Sequence, residues 1–413
     1  KAITTGTRNV ALGYAALDAD TLGSKSTALG YSALGVQNFT SATDTYNTAV
    51  GFEAGKAVTT GIYNTLIGGL AGDALTDADY NVAIGGNALG ANTVGSRSVA
   101  VGYGALTSHN PATAGDTYNT AVGMLAGENV TTGTFNTLIG GLAGDAITTG
   151  LGNSALGYSS LSGNTTGANN TAVGRDSLLT ASTASDNVAV GREAMKYATT
   201  GGSNTAVGTE ALKTTTTGTA NTAVGNDALL SNTTASNNTA VGYQAGYSNT
   251  TGSSLVATGH TALRQNSTGS SNVASGYAAM YSNTTGSNNT GLGHNALHLN
   301  TTASNNTAVG YKAGYANTTG TLNTLIGALA GDAITTGDAN TALGYRSLSA
   351  TTTAASNTAI GVDSLVSNTT GTSNTAVGRD TLNQQTNASY NTAVGHQTLN
   401  LTTASNNTAV GYQ

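Results

Sequence analysis

The chain contains no cysteine, no tryptophan and one proline in 413 residues, and it carries few charges, 13 Lys and Arg against 19 Asp and Glu. Each shortage excludes something. Without Cys there is no disulfide and no thiolate metal site. Charged residues make up 8% of the chain, where an ordinary globular domain has roughly 25%. A net charge of −6 gives neither a basic patch for nucleic acid nor a polyacidic tail, so no nucleic-acid partner is expected. No run of about 20 apolar residues exists, so no membrane insertion by this segment is expected. No signal peptide is visible at Lys1. The five His are scattered, and no Ser-His-Asp set or pair of catalytic acids in a pocket follows from the pattern. The expectation is a non-enzyme without a cofactor.

What the chain has is glycine, 57 of them, placed with a period. Let the glycine ending each phrase of the type "NTAVG" be position 0. The phrase then occurs 24 times between Gly13 and Gly411, and 20 of the 23 intervals are 17 residues. Two intervals are 21, from Gly30 to Gly51 and from Gly102 to Gly123, and the last is 16. Disordered low-complexity sequence does not hold register over such a length; a fixed period means a solenoid. Residues 1–413 read as one continuous array, with four-residue loop insertions near 36–46 and 107–118. Pro111 falls in the second, where a missing ladder donor does no harm. Both termini lie inside a repeat, so a slice of a longer protein is expected.

The columns suggest the coil. Position −4 is Asn in 21 of 24 repeats, including Asn47, Asn64, Asn81, Asn119, Asn136, Asn204, Asn221 and Asn238. The structural ladder also takes in the position 0 glycines Gly51, Gly68, Gly85, Gly208, Gly225 and Gly242. Position −2 is mostly Ala, −1 mostly Val, Ile or Leu, +4 Leu, Met or Gly, and +8/+9 commonly Thr-Thr. No 3.6-residue spacing occurs. β-branched runs between Gly and Asn read as two short strands per repeat. The fold expected is all-β, a parallel β-solenoid with about one turn per 17 residues. Each turn lies about 4.8 Å from the next, giving a rod of roughly 110 Å. Stacked Asn amides should hydrogen-bond along their file. In "TAVG" the Ala at −2 and the Val at −1 point to opposite faces. A strand apolar on both faces is buried on both, so a homo-oligomer is expected, with three copies an attractive number.

The phrases "NVAIG" (81–85), "SVAVG" (98–102) and the many "NTAVG" resemble the head repeats of trimeric autotransporter adhesins, the YadA-like heads, along essentially the whole chain. The array is also similar to repeat regions of some tail-fibre proteins. The family repeat is shorter, near 14 residues. The resemblance implies a homotrimer of left-handed parallel β-rolls at a cell or virion surface, engaging a glycan or protein receptor of a host. Without it, the alternative is a filament or spacer that binds nothing. The low charge and lack of Cys suit an extracellular protein.

Several columns carry side chains capable of chemistry. Tyr46, Tyr63 and Tyr80 share position −5 in consecutive repeats, as do Tyr118 and Phe135. They form either a bland aromatic ladder or a stacking platform for sugar rings. "GGLAGDAL" (68–75) and "GGLAGDAI" (140–147) are similar to a calcium-binding nonapeptide, or are turn chemistry in which Leu75 and Ile147 fill the gap left by Gly at +4. Asp176, Glu193, Glu210 and Asp227 share position +2. They bridge a cation or form a solvated file offset by Arg175 and Arg192. His260, His294 and His396 share +1 in non-adjacent turns and make no ligand set. Thr258 and Ser275 interrupt the apolar −1 column and read as a mutually satisfied hydroxyl pair. The Thr-Thr pairs raise ice binding, but one Thr of each pair is expected to turn inward.

Overall fold

The computed structural model describes residues 5–412. The chain forms two compact units, Lys1–Ala206 and Val207–Gln413. Each is a parallel β-solenoid with one turn per repeat and no helix among the described residues. Twenty-four three-residue strands occupy positions −3 to −1. Like sits on like: in the first unit Thr137–Ile139 pairs with Ser154–Leu156, and in the second Thr222–Val224 pairs with Thr239–Val241, each residue against its counterpart. The insertions leave the register untouched, with Thr27 opposite Thr48 and Val99 opposite Thr120.

The second strand expected in each repeat is not formed. The Thr-Thr segment bends in ordinary turns, and two-residue strands appear only at the insertions, Gly23–Ser24 with Thr43–Asp44 and Gly95–Ser96 with Gly115–Asp116. The bend is the same where +7 is Val58, Ile147 or Asn164, so no one side chain sets it; an Asn there only adds bonds to the loop. Asn164 accepts from the Gly167 N–H at 2.8 Å and donates to the Gly167 carbonyl at 3.1 Å. Asn92 closes the same loop onto Gly95, where the two-residue strand Gly95–Ser96 does form. The bent segment is still stitched to its neighbour, as where Thr148 N donates to the Thr165 carbonyl at 2.8 Å.

The strand has a dry side and a wet side. Ala49, Ala83 and Ala223 at −2 are fully buried, beside Leu34, Leu89 and Leu229 of position +4. Positions −3 and −1 face out, and Ile67 at −1 remains 37% exposed and Leu343 44%. Position 0 must be Gly for two reasons. Its φ lies between 125° and 147°, a region closed to side chains. A Cβ on Gly225 would also sit 2.4 Å from the Gly242 carbonyl oxygen. Positions +2, +4 and −5 are left-handed; Leu34, Leu89 and Met195 at +4 have φ of 48°, 52° and 51°. β-branched side chains are outliers there, which explains why +4 takes Leu, Met or Gly and never Val or Ile.

Two asparagine files run through the interior. At −4 each Asn oxygen accepts the backbone N–H of the next: Asn47 from Asn64 at 2.8 Å, Asn221 from Asn238 at 3.0 Å. The amide donates to a carbonyl 14 residues on, as Asn64 does to Ala78 at 2.8 Å. Side-chain-to-side-chain bonds, expected as the main link, are secondary here, as between Asn136 and Asn119 at 3.3 Å. The second file, at +7, is one the sequence reading missed. There the amides do chain directly, from Asn249 to Asn232, Asn266 to Asn249 and Asn283 to Asn266 at 2.9, 2.9 and 2.7 Å. It stops at Asn317, whose Oδ1 is buried without a partner, because the next +7 residue is Ile334.

Candidate functional site

With the interior filled by backbone, Ala, Leu and Asn, chemistry is left to outward columns. The position −5 ladder is real. Tyr46, Tyr63 and Tyr80 stack at 4.9 and 5.0 Å between ring centroids, and Tyr118 and Phe135 at 5.9 Å. All five rings are exposed, between 43% and 57%. The same column contains three cations that sequence reading overlooked, Arg8, Lys25 and Arg97, though counting back from Gly13, Gly30 and Gly102 finds them. Lys25 Nζ lies 4.7 Å from the Tyr46 ring and donates to the Tyr46 hydroxyl at 2.7 Å. Arg97 sits between the rings of Tyr80 and Tyr118, 5.4 and 5.8 Å from their centroids. Arg97 thereby joins two aromatic stacks into one column. Lys25 and Arg97 are matched by acids from the insertion loops, Asp44 at 2.6 Å from Lys25 and Asp116 against Arg97. The hydrogen bond to Asp44, then that to Tyr46, raises the Lys25 pKa. The bond to the Tyr118 hydroxyl, then the charge of Asp116, raises that of Arg97.

The acids at +2 are compensated. In the first unit Arg175 lies 3.6 Å from Asp176, Arg192 3.2 Å from Glu193, and Lys196 3.5 Å from Glu193. In the second, Lys213 pairs with Glu210 at 3.0 Å, and Asp227 accepts from Gln244 at 3.3 Å. Among the described residues no three His, Cys, Asp or Glu side chains come together as a metal set.

The "GGLAGD" stretches are packing solutions. A Cβ at Gly72 would lie 2.7 Å from Leu75 Cδ1 and 2.8 Å from Leu66 Cδ2, and one at Gly55 would lie 2.6 Å from Leu66 Cδ1. Leu66, at the usual Ala position −2, therefore fills space that Leu leaves empty in two turns. Leu138 does the same between Gly127 and Gly144. Burial raises the pKa of Asp73, while Asp145 accepts a hydrogen bond from Ser162 at 2.5 Å.

Two expectations are corrected. Thr258 and Ser275 do not form an interior hydroxyl pair. Position −1 faces out, Thr258 is exposed, and no hydrogen bond joins the two. Neither Thr of the Thr-Thr pairs turns inward. The +9 residue is exposed and the +8 hydroxyl is spent on the neighbouring turn, as where Thr284 Oγ1 donates to the Thr301 carbonyl at 3.0 Å.

The histidines also have a setting that sequence reading missed. Tyr243, His260, Tyr277, His294 and Tyr311 form a continuous +1 ladder, with centroid spacings of 5.1, 5.2, 4.9 and 5.6 Å. A second ladder runs beside it at +5, where Tyr281, His298 and Tyr315 stack at 5.3 Å each. Compared with known proteins, the chain matches no family model and no curated protein. No helix among the described residues is long and apolar enough to cross a membrane.

Proposed function

We propose that the chain is a non-catalytic segment of an extracellular attachment fibre, like the adhesin heads and tail fibres its phrases resemble, assembled from three copies through the outward face of its strands. The observation that carries this is that face itself. Positions −3 and −1 point to solvent in both units, yet hold no charged residue in any of the 24 repeats. Exposed apolar area repeated turn after turn is unusual for a free surface. Its natural cover is a surface with the same period, and a copy of this chain has that period by construction. The aromatic columns flank this face and offer rings with which to stack on sugars.

The purified array should sediment or scatter as three times its 40.5 kDa. A monomer at micromolar concentration would sink the assembly. Immobilised array should hold cells or glycan-coated beads; failure to hold any would leave a spacer.

A further inference from the structure

No Asp or Glu occurs between Asp227 and Asp332, although the chain as a whole is acidic. Every Arg, Lys and His of that stretch lies in the two ladders or between them. The turns alternate in kind. Tyr243 and Tyr247 form one rung, His260 and Arg264 the next, then Tyr277 and Tyr281, then His294 and His298. Tyr311 and Tyr315 close the set, with Lys312 between them. Lys312 Nζ lies 5.5 Å from the Tyr311 ring and 5.3 Å from the Tyr315 ring, so the two columns are neighbours. Rungs bearing His or Arg therefore alternate with Tyr rungs and recur every second turn, about 10 Å apart, with Lys312 set in the last Tyr rung.

The side chains are held in place, and among the described residues no acid meets Arg264 or Lys312. Arg264 Nε donates to Gln244 Oε1 at 2.8 Å and its Nη1 to the Tyr281 hydroxyl at 3.2 Å. Its guanidinium lies 5.1 Å from the Tyr247 ring and 5.7 Å from the Tyr281 ring. His298 Nδ1 sits 3.0 Å from the Ala278 carbonyl oxygen. Neither Arg264 nor Lys312 makes an ion pair among the described residues, unlike Lys25 and Arg97 at the −5 ladder. A second observation marks the same place. The outward −1 file is apolar in every turn except two, where it is Thr258 and Ser275, next to His260 and Tyr277. The face proposed to pack against a copy turns polar beside the middle of the double ladder.

We infer that the double ladder from Tyr243 to Tyr315 is a binding site for an anionic polysaccharide. Sugar rings stack on the tyrosine rungs, and sulfate or carboxylate groups meet Arg264, Lys312 and the imidazoles, guanidinium being the donor best matched to such oxyanions. The inference supplies the attachment reading with a ligand class and rests on it for placing the partner outside the cell.

The test uses the full chain over immobilised heparin (sulfated), hyaluronan (carboxylated) and dextran (neutral), with single-stranded oligo-dT in parallel. Binding to heparin or hyaluronan but not dextran is expected, weakening with salt. The pair R264Q/K312Q should lose at least about tenfold in affinity, since one charge-assisted bond contributes about 1.5–3 kcal/mol and 1.4 kcal/mol is tenfold. Y277N/Y311N should lose a similar factor; Asn226 already occupies position +1, so the fold tolerates Asn there. K56Q/R346Q, which removes two cations that are ion-paired and lie outside the double ladder, should change nothing. Absence of binding to both anionic chains overturns the inference, as does binding that survives both variants. Tighter binding of oligo-dT through the same residues overturns it in favour of nucleic acid. An array that holds cells but ignores heparin and hyaluronan sinks this site alone. An array that binds heparin through the ladder but stays monomeric and holds no cells sinks the fibre reading alone.

Discussion

At the scale of single residues, the repeat is set by a few positions with no alternative. Gly at position 0 is fixed by its φ and by the next turn's carbonyl, and Asn at −4 by two hydrogen bonds that only a primary amide completes. Leu255 shows the limit: its N–H donates to Asn238 at 2.9 Å, but it has no side-chain acceptor for the next turn. His109 is the one histidine in the +7 column. It is fully buried, its Nδ1 lies 3.1 Å from the Thr131 carbonyl oxygen, and its Nε2 has no partner. Burial lowers its pKa to about 4 from the usual 6.5. The unfolded chain then takes up a proton as pH falls below 6.5, while the folded chain resists until about 4. The stabilisation tied to this residue is therefore complete above pH 6.5 and is lost as pH falls towards 4, on the order of 3 kcal/mol in all. Gln37 and Gln385 occupy the same column, so H109Q should fold and should lose less stability than the parent between pH 7 and 4.5. Urea unfolding at both pH values measures it; equal losses would mean the imidazole carries no linkage.

At the scale of one turn, the unit of selection is the set of side chains sharing an interior slot. Leu at +4 and Ala at −2 fill it in one way; Gly at +4 with Leu at −2 and an aliphatic residue at +7 fill it in another. Mixing the two solutions should fail in both directions. G72L alone overpacks against Leu75 and Leu66 and should cost about 1–3 kcal/mol. L66A alone opens a cavity and should cost about 2–5 kcal/mol. The triple variant G72L/L66A/L75N recreates the common turn and should lose clearly less than the sum, the sign of coupling within one slot; additive losses in thermal or urea unfolding would refute the shared slot. This scale also shows how far the sequence was legible. The period, the parallel like-on-like stacking and the role of Leu75 followed from counting columns. The second strand does not form: the Thr-Thr segment bends in every ordinary turn whatever stands at +7, Val58 and Ile147 as much as Asn164, although its composition favours extension. The double ladder was missed for a different reason. Net charge and single columns do not reveal it, because the neighbouring +1 and +5 columns meet only once the left-handed residues at +2 and +4 fold the chain over.

At the scale of the whole chain, stability is a sum over turns and their nearest neighbours, since each turn touches chiefly the one before and the one after. Nothing in the interior of a unit needs a particular total number of turns, only register. The two insertions already demonstrate this: four extra residues are looped out and Thr27 still faces Thr48. Deleting residues 345–361 removes one full period and leaves Gly344 joined to Val362, every column still aligned. Deleting residues 345–352 removes about half a turn and sets Asn357 and Thr358 against the wrong neighbours, leaving buried amides and backbone groups unpaired at roughly 1–3 kcal/mol each. The full-turn deletion should melt within a few degrees of the parent with an unchanged circular dichroism spectrum. The half-turn deletion, although smaller, should melt well below it or lose its β signal. If the shorter deletion were the better tolerated, alignment of like residues would not be what holds the coil together.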